Sequence, residues 1–155
     1  MFEQKFENIE TFSGIIKDSL VSAAGRIVSD KFTLGVSGLI INEKSMVYLQ
    51  KHRFWKNKSW GMPGGFVKAG SSLQENLLRE VKEESKLEIE INELLEILYQ
   101  GNKNLSFVFA CTCKNQIYKL DSFEVIDAGF FHPDYLPSPL LKSHKEIILQ
   151  NFRNH

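Results

Sequence analysis

Glu80, Glu83 and Glu84 stand three and four positions apart in a helix-forming run, shortly after the glycine pair Gly64 and Gly65. At 3.6 residues per turn, positions i, i+3 and i+4 are neighbours on a helix surface. Like charges at that spacing destabilise a helix by roughly 0.2–0.5 kcal/mol per pair. Two readings accommodate them. One is a solvated helix face on which Lys82 and Lys86 pair locally with Glu83 or Glu84. The other is a hard divalent cation among the carboxylates, since magnesium takes oxygen ligands and bridges a few protein carboxylates to substrate phosphates. The glycine loop just upstream and Arg79 directly before Glu80 favour the cation. Glycine lets backbone approach closely, and arginine orients a carboxylate through charge-assisted hydrogen bonds.

Several elements must position these residues. Ser72 and Glu75 have the spacing of a capping box, so a helix begins there. Its apolar stripe is Leu73, Leu77 and Val81, with Leu78 expected to join it, and the carboxylates are expected to lie away from that stripe. Upstream, Thr33 to Ile41 and Met46 to Lys51 read as strands of a hairpin, turned by Asn42 to Ser45. His52 to Ser59 reads as a polar and aromatic loop, and Pro63, Gly64 and Gly65 interrupt the run from Trp60 to Val67. Residues 89–100, 105–113 and 125–132 read as further strands. After Pro137 and Pro139, Leu141, His144, Ile147, Ile148 and Phe152 are spaced along a C-terminal helix. Strands, helix, strands, helix predict an α+β fold, an α/β/α sandwich around a mixed β-sheet.

The segment from Gly65 to Leu87 resembles the Nudix signature: Gly, five residues, Glu, seven residues, then Arg-Glu-aliphatic-any-Glu-Glu-any-Gly-aliphatic. Gly65 opens it, Arg79 and Glu80 form the Arg-Glu pair, Val81 is the aliphatic position, Glu83 and Glu84 follow, and Leu87 closes it. Ser71 replaces the first glutamate and Lys86 the second glycine. The resemblance implies the same sandwich and a hydrolase that cleaves the phosphoanhydride of a nucleoside diphosphate linked to another group. It implies Mg2+, or Mn2+, held by Glu80, Glu83, Glu84 and the Gly64 carbonyl. Glu80 is the expected base toward water, with Arg79 and Glu83 completing the catalytic set. Arg53, Gly65 and Lys68 are the positions expected to serve the substrate. Ser71 and Lys68 make the loop less acidic than in typical relatives, which motivates the alternative of a weakly active or inactive module that binds a nucleotide or a protein. A lysine in the left-handed conformation at position 86 costs about 1 kcal/mol, or the turn takes another shape.

Outside this segment the residues carry less. His52 and Arg53 suit either phosphate contact or a plain surface. Phe54, Trp55 and Trp60 are candidates for stacking on a base, with core packing the alternative for Trp60. Glu124 is either a further metal ligand or base, or an exposed acid at a strand start. Cys111 and Cys113 share one face of a strand and read as reduced thiols; they do not suggest the site of an isomerase on the same fold. His132 and His144 have no metal-spaced partners and are assigned no chemistry.

The chain has 155 residues, a single domain's worth, with 19 basic and 19 acidic side chains. Such a balance offers no net field for DNA or an anionic membrane, so attraction for a small nucleotide must be local. No run of about 18 apolar residues is present to span a membrane. The start of the chain lacks the pattern of a signal peptide, which makes the cytoplasm the expected compartment. Phe12, Ile15, Ile16, Leu20, Ala23, Ala24 and Ile27 are spaced as on a helix. Residues 1–30 are expected to be a helical extension packed on the domain, with a homodimer arm or a membrane-surface helix as alternatives.

Overall fold

A computed structural model describes residues 31–99, 101, 103–113, 118–120 and 122–153. The expected N-terminal helical extension lies outside the described residues. The central strand is β1 (Thr33–Ile41), as expected from its branched and apolar residues. It runs parallel to β6 (Asn104–Cys113) over its full length, from Thr33 opposite Asn104 to Ile41 opposite Thr112. On the far side of β6 lies β5 (Ile89–Tyr99), antiparallel, with two breaks in register.

The other half of the sheet is organised by a split. The turn after β1 is tied by Asn42, whose Oδ1 accepts the backbone N–H groups of Lys44 and Met46, each at 3.0 Å. This is the local bonding that suits asparagine to turns. β2 (Val47–His52) then pairs with β1 at Ile41 opposite Val47 before the two strands diverge. Two short strands occupy the opening. β3 (Trp60–Gly61) pairs with β2, and β4 (Gly64–Phe66) pairs with β1. Between them the Gly38 N–H donates to the Pro63 carbonyl at 3.0 Å. The glycine run is therefore sheet structure at both ends and not simply a loop. β7 (Val125–Phe131) closes the outer edge of β2.

Helices cover both faces, so the expected α/β/α sandwich and mixed sheet are present. Alternate residues of a strand point to opposite faces. Val36, Ile40 and Tyr48 pack with Leu77 and Val81 of α1 (Leu73–Ser85). Leu39, Val47 and Leu49 pack with Ile147 and Ile148 of α2 (Lys142–Arg153), together with Trp60 and Met62. The capping box forms: Ser72 Oγ accepts the Glu75 N–H, and Glu75 Oε2 accepts the Ser72 N–H at 2.7 Å. At the other end Lys86 takes the left-handed conformation, φ 59°, and its N–H reaches the Lys82 carbonyl at 3.1 Å. The helix thus stops as it would with glycine.

Two expectations for α1 are corrected. Leu78 is 41% exposed, because the buried stripe runs through Leu77, Val81, Glu84 and Ser85 and leaves it to one side. Glu84 lies on that stripe and is only 6% exposed, so the carboxylates do not all lie away from the core. Cys111 is buried on the α1 side of the sheet, and burial pushes its thiol up to about 12. Neither Cys111 nor Cys113 forms a disulfide. Among the described residues no helix is long and apolar enough to cross a membrane.

Candidate functional site

The glycine pair and α1 meet face to face. A Cβ on Gly65 would fall 2.7 Å from Glu80 Cδ and 2.8 Å from its Oε2, so the Glu80 carboxylate lies directly against the loop backbone. A Cβ on Gly64 would collide with the Val36 carbonyl and come within 2.7 Å of Ser37 Cα. Gly64 is thus required where β4 wedges against the β1 backbone, while a Cβ on Gly65 would have to displace the Glu80 carboxylate that crosses the loop.

Arg79 gathers the outer part of the site. Its Nη1 sits 2.7 Å from Glu80 Oε1 and 3.2 Å from Glu83 Oε2, while Nη2 donates to Asn76 Oδ1 at 3.0 Å. This is the fork-shaped use for which a guanidinium is suited. Asn76 is fully buried and was not singled out from the sequence. Its Oδ1 also accepts the Lys68 N–H at 2.9 Å, and its Nδ2 donates to the Ser72 carbonyl at 2.8 Å and the Ser71 carbonyl at 3.4 Å. One amide therefore ties the loop, the helix start and Arg79 together. The available signal was a polar residue one turn before Arg79, beside the apolar Leu77. Ser71 and Lys68 are exposed on the loop that this amide holds.

Glu84 forms the inner part. Burial, foremost, and then the charges of Glu80, Glu124 and Glu83 push its carboxyl from 4.5 up to about 8, with Gln50 acting in the opposite sense. Glu124, the residue before β7, thus lies near enough for its charge to act on Glu84. His52 Nε2 lies 3.7 Å from Glu84 Oε1. Burial pulls the His52 pKa down, partly offset by Glu124, so this is a contact between near-neutral partners and not a formed ion pair.

The remaining candidates divide. The Arg53 backbone N–H donates to the Glu124 carbonyl at 2.8 Å, and its Nε donates to the Phe123 carbonyl at 2.9 Å. Its guanidinium covers the Phe123 ring at 4.5 Å, placing Arg53 beside the acidic group. Trp55 stacks on His52, with ring centres 4.2 Å apart. Trp60 is buried edge-on to Phe131, which is core packing. Phe54 is 64% exposed, leaning on Phe123. His144 is structural: its Nδ1 accepts the Met62 N–H at 2.9 Å, and burial drives its pKa from 6.5 to about 4. His132 caps a short turn by accepting the Asp134 N–H at 3.3 Å.

Among the described residues no three His, Cys, Asp or Glu side chains converge closely enough to hold a metal ion. In this arrangement Arg79 is the cation that Glu80 and Glu83 engage. The side-chain donors are nevertheless all oxygen, and Glu84 is buried beside further carboxylates. Oxygen donors of this kind are the chemistry a hard cation takes, and a cation beside Glu84 would relieve the repulsion that disfavours its ionised form.

A mixed sheet between two helices, with a glycine loop set against an Arg-Glu helix, defines a fold and box that known proteins share. The NUDIX domain matches residues 31–152, and the chain belongs to this family. Among curated relatives, the 8-oxo-dGDP phosphatase NUDT18 of Homo sapiens is 34% identical over 85 residues, 53% of this chain and 26% of that protein. The chain's matches span between 14% and 38% of the lengths of its curated relatives. Among solved structures, an ADP-ribose pyrophosphatase from Streptococcus suis is 24% identical with a TM-score of 0.66, covering 79% of this chain and 93% of that one. A NUDIX hydrolase from Nitrosomonas europaea is 16% identical with a TM-score of 0.74, covering 82% and 73%. At these identities the structural likeness is one of fold.

Proposed function

We propose that the chain hydrolyses the phosphoanhydride bond of a nucleoside diphosphate linked to another group, with Mg2+ or Mn2+ as cofactor. The observation that carries this reading is Glu80 set against Gly65 and joined with Glu83 on Arg79, while Glu84 of the same helix is buried under the charges of Glu80, Glu124 and Glu83. Glu80, Glu83, Glu84 and the Gly64 carbonyl would hold the cation. The ion would supply charge neutralisation for the diphosphate and a more acidic bound water. Arg79 restrains Glu80 and Glu83, and Glu80 is the group best placed to accept a proton from water beside the loop. Arg53, with Nε fixed on Phe123, and exposed Lys68 supply local positive charge for the diphosphate. The names of the relatives, an 8-oxo-dGDP phosphatase and an ADP-ribose pyrophosphatase, set the substrate classes to examine first.

The test is Mg2+- or Mn2+-dependent release of nucleoside monophosphate or phosphate from sugar nucleotides, dinucleoside polyphosphates, nucleoside triphosphates and capped RNA. Glu83→Gln and Glu84→Gln are expected to lose that activity; full activity in both would sink the assignment of the carboxylates. A second reading, a binding module with little turnover, is favoured by Ser71, which leaves an exposed hydroxyl where a carboxylate would otherwise stand. Ligand binding without turnover across the same panel would select it.

A further inference from the structure

The inner wall of the site contains buried polar atoms that packing alone does not call for. Among the described residues, Tyr48 OH, Gln50 Nε2 and Oε1, His52 Nε2 and Glu84 Oε2 are buried and have no hydrogen-bond partner. Alternation along β2 places Tyr48, Gln50 and His52 on one face, and Tyr48 packs there with Leu77 and Val81 of α1. Glu84 continues the same helix stripe. Gln50 is 0% exposed, and its cross-strand neighbours Gly61 and Ala128 carry no polar side chain. A methionine would fill this place without stranding an amide.

The stranded atoms match in kind. The Tyr48 hydroxyl donates, Gln50 Oε1 accepts, Gln50 Nε2 donates and Glu84 Oε2 accepts. Tyr48, Gln50 and Glu84 thus each keep a buried, unpartnered polar atom on the face where β2 packs against α1. We infer that Gln50 is a positioning residue for Glu84: Oε1 accepts from the Tyr48 hydroxyl, Nε2 donates to Glu84 Oε2, and the other carboxylate oxygen is left for a divalent cation. His52, stacked on Trp55, has its Nε2 3.7 Å from this same Oε1 and so stands beside the oxygen left for the cation. Outer partners of this kind orient a metal ligand and set its basicity. The inference rests on the reading of Glu84 as a metal ligand.

The full chain is titrated with Mn2+ alone, following the paramagnetic resonance of the free ion, and Tm in EDTA reports the fold separately. Gln50→Met keeps the volume and removes the amide, while Tyr48→Phe removes one hydroxyl and keeps the ring. Gln50→Met is expected to bind Mn2+ about tenfold more weakly, and Tyr48→Phe about threefold, with Tm at or above wild type. A role confined to packing would move Tm and spare the affinity. Affinity within about twofold of wild type in Gln50→Met overturns the inference, as it does in Tyr48→Phe should Gln50→Met fail to fold. Glu84→Gln separates the two levels. If it abolishes binding while Gln50→Met does not weaken it, only the positioning role falls. If it binds like wild type, or wild type does not bind, the metal reading fails and takes this inference with it.

Discussion

Replacing Glu84 by glutamine should stabilise the metal-free protein, increasingly so as pH rises. Burial and the neighbouring carboxylates hold the Glu84 proton up to about pH 8, against 4.5 for an ordinary glutamate. A group whose folded-state pKa is raised contributes stability that is complete below the unfolded value and lost as pH climbs through the folded one. The window therefore runs from 4.5 to about 8. At about 1.36 kcal/mol per pH unit the ceiling is about 5 kcal/mol, of which about 3 kcal/mol has gone by neutral pH. Glutamine keeps the shape and has no proton to lose. His144 works in the opposite sense on the acid side, because its imidazole is driven from 6.5 to about 4 and stability is gained as pH rises across that interval. Both proteins share the His144 contribution, so their difference isolates Glu84. Thermal unfolding in EDTA from about pH 5 to about pH 9 should show Glu84→Gln drawing ahead by roughly 10 °C, at about 3 °C per kcal/mol. Adding Mn2+ near pH 8 should narrow or invert the gap, since only the ionised carboxylate rewards the cation. Parallel curves at every pH would refute the argument that burial and like charge govern this residue.

Three further outcomes follow from the contacts around the loop. Gly65→Ala, whose methyl would meet the Glu80 carboxylate at 2.7 Å, should displace that side chain and cut turnover at least tenfold, at a stability cost of about 1–3 kcal/mol; steady-state rates and Tm measured together check it. Asn76→Ala strands the Lys68 N–H and part of Arg79 and should lower stability by about 2–4 kcal/mol in denaturant titration, with a matching loss of turnover. Ser71→Glu restores a carboxylate on the exposed loop and should tighten Mn2+ binding several-fold in the free-ion titration; equal or weaker binding would show that the loop acid is too far from the cation to matter.

Local signals in the sequence were reliable where one residue decides the geometry. The Ser72–Glu75 box, the limits of β1 and the place of Gly65 all depend on neighbours in the chain, and each appears as expected. Reading the helix stripe from apolar residues alone was less successful. Asn76 and Glu84 are buried alongside Leu77 and Val81 but are polar, so periodicity placed Glu84 away from the stripe and passed over Asn76. Only tertiary partners reveal why: the loop backbone for Asn76, and β2 with β7 for Glu84. The β3 and β4 pairings were equally hidden. Strands of two and three residues carry no period, and they exist because β1 and β2 separate to admit them.

That separation should give the two limbs of the box different solvent-exchange lifetimes. The amide ladder through Gly64–Phe66 belongs to the central sheet, so its deuterium uptake should track global unfolding. Residues 68–72 are held by the side chain of Asn76 and the helix cap, and can exchange through a local opening that leaves the sheet intact. Under this division the Gly64 carbonyl and the Glu80 shelf stay fixed while the outer limb breathes. On the hydrolase reading proposed above, a leaving group on the Ser71 side would then be admitted or released without loosening the Glu80 carboxylate that lies against β4.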